Sequence, residues 1–302
     1  MTADNAGKLP REILNKLRRF NTNLFPPERY QQAVSMWFSV FEEAYYVAKH
    51  TVDTSVGFSG KLLFDADYHD RRLSQYKGQQ RLVVMVTGYM QSHLSYQRME
   101  RHLSHSGFDA FTYVWSDFPY SQDITLSAQQ LAERLRQIHK RAPAPEIYLL
   151  GHSQGGIIIR TLVQNHLADE LPIKKCMFLS SPHQGTWAGL AAYPHRGLLR
   201  LVELAPYVRK VTGESGLQLL PGSTFLKRLN SRPLPEGIKF SSIFYALDPM
   251  IWPPTNAILP YPEARNFFVR RIGHAHPLYC AEAARIVVEE LFGQGAELQE
   301  NA

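Results

Sequence analysis

A chain of 302 residues, 44% apolar and 20% charged, has the composition of a soluble globular protein and excludes a disordered, fibrous or membrane-embedded one. Its 33 Lys and Arg against 27 Asp and Glu leave a formal charge of +6, but the basic residues are scattered and no nucleic-acid-binding signature appears, so nucleic acid is not an expected partner. Two cysteines, Cys176 and Cys280, allow one bridge at most and supply no zinc or redox pair.

The opening MTADNAGKLPREILNKLRRF lacks the apolar stretch of a secretory signal, and no apolar run reaches the roughly 18 residues of a membrane span, so cytoplasmic residence is expected. Over residues 8–25, Leu9, Ile13, Leu14, Leu17, Phe20 and Leu24 recur at helical spacing among Lys8, Arg11, Lys16, Arg18 and Arg19. Such a helix either packs on the core or lies on an anionic membrane surface, which leaves peripheral membrane contact open. After Pro26 and Pro27, Tyr30, Val34, Trp37, Phe41, Tyr45 and Ala48 predict a second helix, whose aromatic face is expected to pack on the core. Residues 1–75 are thus expected to form a helical extension packed on a larger domain, 76–302.

From about residue 80 short apolar runs alternate with helical stretches, the pattern of a mostly parallel sheet covered on both faces. The predicted strands are Leu82 to Val86, Ala110 to Trp115, Ile147 to Leu150, Cys176 to Leu179, Ser242 to Ala246 and Asn266 to Val269. Between the second and third lies a helix over Ser127 to Lys140, with Leu131, Leu135 and Ile138 on one side, stopped by Pro143 and Pro145. A last helix covers Ala281 to Phe292. No repeat or low-complexity linker divides the chain.

The third run opens directly into Gly151-His-Ser-Gln-Gly-Gly156 and then the helix-compatible IIIRTLVQNHL, a G-x-S-x-G turn in the strand-to-helix context that a nucleophilic serine requires. A serine hydroxyl needs a base, and the base a carboxylate to orient it. Asp248 ends the fifth run and His274 follows Gly273 ahead of the last helix, both at the strand ends where parallel sheets place active-site groups. His276 is the alternative base. His-x-His lacks a third ligand nearby, as do His102 and His105, so no metal is expected. Asp117 precedes Ser153 and reads better as a loop residue. For the oxyanion of ester cleavage the expected backbone donors are the N–H of Gln154 and, in the Val86-Thr-Gly-Tyr-Met-Gln-Ser92 loop, that of Tyr89 with Met90 as the fallback.

These motifs, with Leu179-Ser-Ser-Pro-His-Gln-Gly-Thr186, resemble the α/β-hydrolase lipases and esterases, bacterial triacylglycerol lipases and inositol-deacylase-like lipases among them, over about residues 80–292. Thr87 stands where those lipases carry His. The resemblance implies an α/β-hydrolase fold with Ser153 as nucleophile, Asp248 as acid and His274 as base, and a lid over the acyl pocket from about 187–221. Two permanently packed helices are the alternative for that segment. The expected activity is cleavage of a lipid or other acyl ester through an acyl-enzyme, with no cofactor. An acyltransferase or thioesterase with the same triad, and a non-catalytic hydrolase-fold protein binding a lipid or partner, are the alternatives.

Overall fold

All six predicted apolar runs are strands of one parallel sheet. The computed structural model describes residues 39–53, 55, 73–78, 80–89, 91–106, 110–115, 123–187 and 214–293. Strands β1 (Arg81–Val86), β2 (Ala110–Trp115), β3 (Ile147–His152), β4 (Ile173–Leu179), β5 (Lys239–Leu247) and β6 (Arg265–Ile272) lie in the order β2-β1-β3-β4-β5-β6. Every neighbouring pair is parallel.

Continuous apolar strands form because both faces are covered. On β1, Leu82, Val84 and Val86 pack on one side with Leu131 and Leu135 of α3 (Ile124–Arg141) and Ile157, Ile158 and Leu162 of α4 (Gln154–Gln164). Val83 and Met85 point to the other face, with Met99 and Leu103 of α2 (Gln97–Ser104) and Ala284, Val287 and Leu291 of α8 (Ala281–Phe292). Helix α8 has the predicted bounds, and α3 extends the predicted one at both ends. Asp123 caps α3 by accepting from the N–H groups of Thr125 (2.7 Å) and Leu126 (3.2 Å). It ends at Ala142, held extended before Pro143.

Helix α4 is buried all round, as a helix of isoleucine, leucine and valine beneath a sheet must be. It also buries Arg160 completely. The guanidinium donates to Gln164 Oε1 (3.0 Å), Asn230 Oδ1 (2.9 Å) and the Tyr261 hydroxyl (3.0 Å). These are neutral acceptors, and burial lowers the Arg160 pKa to about 10, against the favourable effect of Tyr261.

The segment read as a lid ends with the short helix α5 (Ser215–Gln218), and a second short helix, α6 (Thr224–Asn230), follows it. Residues 188–213 of that segment lie outside the described residues, as do residues 8–25 and Asp117. Its trailing end packs on the core: Ser215 and Leu219 are buried, and Thr186 N donates to Leu219 O at 2.7 Å. Cys176 and Cys280 are free thiols. No helix of the described residues is long and apolar enough to cross a membrane.

The second N-terminal helix departs from expectation. Residues 39–53 are helical (α1), but Phe41 and Tyr45, expected in the core, face outward, 68% and 64% exposed, while Tyr30, Val34 and Trp37 lie outside the described residues. The covered face carries Ser39, Glu43, Tyr46, His50 and Asp53. Polar partners on the sheet ends, rather than apolar burial, orient this helix.

Candidate active site

The strand order reverses between β1 and β3, and the crevice beyond the carboxyl ends of strands at such a point is where open α/β sheets bind ligands. The glycine-rich turn after β3 lies there. Ser153 has φ 52° and ψ −125°, a strained conformation for a residue with a side chain, and joins β3 to the N-terminus of α4. Its N–H is anchored on Leu179 O at 2.9 Å. Close packing explains the flanking glycines: a Cβ on Gly155 would sit 2.2 Å from Val86 O, and one on Gly151 would sit 2.5 Å from Gly156 N.

The structure brings three of the sequence-predicted residues together. His274 Nε2 is 3.1 Å from Ser153 Oγ, and His274 Nδ1 is 3.0 Å from both carboxylate oxygens of Asp248. Asp248 is buried at the end of β5, its Oδ1 accepting from the N–H groups of Met250 (2.8 Å) and Ile251 (3.0 Å). Burial by itself would lower the His274 pKa. The charge and hydrogen bond of Asp248, with Glu43 farther off, outweigh it and hold that pKa above its ordinary value.

His276, the alternative base, is directed elsewhere. It opens α7 (His276–Tyr279), is buried, and meets the Tyr245 hydroxyl through Nδ1 at 3.0 Å. Burial, reinforced by Arg271, pushes its pKa down to about 4. His102 lies on α2, and His105 just beyond it contacts Arg101 O through Nδ1. Among the described residues no group of three metal-ligating side chains is assembled.

Of the two expected oxyanion donors, Gln154 opens α4, where the first N–H groups have no intrahelical partner. Tyr89 follows Gly88 in the loop after β1, whereas Met90 lies outside the described residues. Sequence reasoning missed what holds this loop. Gln91 Oε1 accepts from Gly88 N (2.7 Å) and the Tyr96 hydroxyl (2.7 Å), while its Nε2 donates to His152 Nδ1 (2.8 Å). His152 in turn donates from Nε2 to the carbonyl of His274 at 2.7 Å, which fixes its tautomer. Burial, with the nearby His274, holds His152 neutral by lowering its pKa far below the ordinary value. The loop after β1 and the His274 loop are thereby joined through the residue preceding Ser153.

Helix α1 also reaches this site, which nothing in the sequence pattern announced. Glu43, 4% exposed, accepts from three successive backbone N–H groups: His274 (2.5 Å), Ala275 (2.8 Å) and His276 (3.0 Å). One turn and more along, His50 Nε2 lies 3.3 Å from Gln91 Nε2, and Asp53 accepts from the Tyr279 hydroxyl at 3.0 Å.

Trp187, Met250 and Trp252, all exposed, lie on the loops after β4 and β5, and Thr186 Oγ1 ties those loops by donating to the Met250 carbonyl.

The family model for the alpha/beta hydrolase fold matches residues 81–202, from β1 through the turn at Ser153 and β4. A comparison with curated proteins found no match. Among solved structures, the mature form of the lipase BlEst2 from Bacillus licheniformis superposes with a TM-score of 0.53 at 18% identity, over 70% of this chain and 91% of that one. Lipase B from Aspergillus fumigatus gives a TM-score of 0.52 at 15% identity, over 70% of this chain and 52% of that one. This chain is similar to both in fold.

Proposed function

We propose that this chain, which matches the alpha/beta hydrolase fold over residues 81–202, is a serine hydrolase of carboxylic esters, acting on lipid or other acyl esters. One observation carries the reading: His274 lies between Ser153 Oγ and Asp248 with a ring nitrogen at hydrogen-bond distance from each. In this reaction Ser153 Oγ gives its proton to His274 Nε2 and attacks the ester carbonyl carbon. The N–H groups of Gln154 and Tyr89 meet the developing oxyanion. Collapse of the tetrahedral intermediate expels the alcohol, which takes the proton from His274, and leaves the acyl group on Ser153. Water, deprotonated by His274, then attacks the acyl-enzyme and releases the acid. Asp248 holds the imidazole with Nε2 toward the serine and stabilises its charged form.

The exposed Trp187, Met250 and Trp252, on the loops after β4 and β5, support an apolar acyl group rather than a charged one. Labelling with a fluorophosphonate, beside hydrolysis of p-nitrophenyl esters of increasing chain length, tests the proposal. Ser153→Ala is expected to abolish labelling and to lower turnover by a factor on the order of 10⁴. Wild-type turnover in that variant, or a folded wild type that takes no label, would overturn it.

A further inference from the structure

We propose that Glu43 is a positioning residue for the His274 base, so that the N-terminal helix is a working part of the active site. The inference rests on the reading of His274 as that base. A carboxylate buried among three successive N–H donors is a specific arrangement: it fixes the backbone from His274 to His276 at the point from which the imidazole projects toward Ser153. The contact spans more than 230 residues of sequence, and it is supported on both sides. Ser39 Oγ accepts from Ile272 N at 3.3 Å, and Glu42 pairs with Arg271 at 2.9 Å. Tyr46 stacks on Tyr279, with ring centroids 5.4 Å apart and planes within 10°.

The second consequence is electrostatic. Asp248 faces His274 from the end of β5 and Glu43 faces it from α1. The other titratable groups around it are His50 on α1, His152 at the end of β3, and His276 and Arg271 on its own segment and β6. Burial keeps the three histidines neutral near pH 7, and Arg271 is occupied by Glu42 and Glu282. Two carboxylates therefore act on the imidazole, Asp248 in direct contact with Nδ1 and Glu43 from the backbone of the same segment. When the serine proton arrives during attack, both stabilise the resulting imidazolium, and the backbone clamp keeps Nε2 at 3.1 Å from Oγ.

The experiment is the pH profile of kcat/KM on a p-nitrophenyl ester for wild type, Glu43→Gln, Glu43→Asp and, as a control on the exposed side of α3, Glu133→Gln. Loss of the charge in Glu43→Gln is expected to lower kcat by about 10- to 100-fold with KM within about 3-fold, and to move the acid limb to lower pH by about half a unit or more. Glu43→Asp keeps the charge on a shorter stem, so its acid limb stays at the wild-type position while kcat falls. Glu133→Gln leaves both unchanged. Wild-type kcat and acid limb in a folded Glu43→Gln would overturn the proposal. Should that variant not fold, wild-type kcat in Glu43→Asp, or a displaced limb there, would overturn it equally. A wild type that neither takes a fluorophosphonate nor hydrolyses esters refutes the triad reading itself and is recognised before any Glu43 variant is compared.

Discussion

Gln91 shows how much one side chain can hold together. Its amide joins the Gly88 N–H, the Tyr96 hydroxyl and the His152 ring, and His152 passes the connection to the His274 carbonyl. Gln91 is itself buried, so removing it leaves partners without water to replace it. Gln91→Ala is expected to cost about 2 kcal/mol in urea unfolding. Ester hydrolysis should fall further than stability explains, by about 10- to 100-fold in kcat at nearly constant KM, because the loop after β1 and the His274 loop lose their common brace. A variant that loses stability but keeps kcat would reduce Gln91 to a packing role. At the same scale Gly155 and Ser153 were legible in the sequence. A G-x-S-x-G turn states in residues what the structure states in distances, a Cβ excluded at 2.2 Å from Val86 O and a positive φ at the serine. Gln91 and His152 carried no such signal, because their partners are defined by the folded loops.

Among the elements, legibility follows apolar burial. The six strands could be read because both faces are covered, so each appears as an unbroken apolar run. Helices α3 and α8 could be read from their apolar periodicity. Helix α6 has only seven residues, too few for a period, and is marked chiefly by its Ser223 cap. Helix α1 was misread for a physical reason. Hydrophobic periodicity finds the apolar stripe, but α1 docks through Glu43, His50 and Asp53, whose partners lie on the loops after β1 and β6. The capping of α3 gives a prediction at this scale. Asp123 accepts from two N–H groups of the first turn, and Gln218, which donates to Asp123 at 2.5 Å, accepts from Ile124 N at 2.8 Å. Asp123→Ala removes the cap and unties α5, at an expected cost of about 1 to 2 kcal/mol in the urea transition. An unchanged midpoint would mean that Gln218 alone satisfies the helix end.

Across the molecule, the buried histidines set the response to acid. Burial lowers the pKa of His50 and His276 to about 4, and lowers those of His152 and His183 well below the ordinary value, with His274, Arg271 or Arg160 adding to the effect at individual sites. In the unfolded chain each takes up a proton near pH 6.5. Between about pH 6.5 and 4 the unfolded state therefore binds more protons than the folded one. The stability these groups contribute is fully present above pH 6.5 and is lost as pH falls through the window. At up to about 1.4 kcal/mol per pH unit each, four such groups give an upper bound of about 5 to 6 kcal/mol per unit, comparable with the whole stability of many domains. Two groups act in the opposite sense. His274, raised in the fold, contributes stability below pH 6.5 that is lost as pH rises through its folded value, and Glu43, raised chiefly by burial, favours the fold when it takes up a proton. The net slope is consequently smaller than the bound but keeps its sign, because four lowered groups oppose two raised ones. Urea midpoints measured from pH 8 to 4.5 should be nearly flat down to about 6.5 and then fall steeply, with about three protons taken up on unfolding near pH 5.5, where His274 is protonated in both states. A midpoint that stays level to pH 5 would mean that the histidines admit protons without unfolding, and the neutral relay through His152 would then not be the state that holds the two loops together.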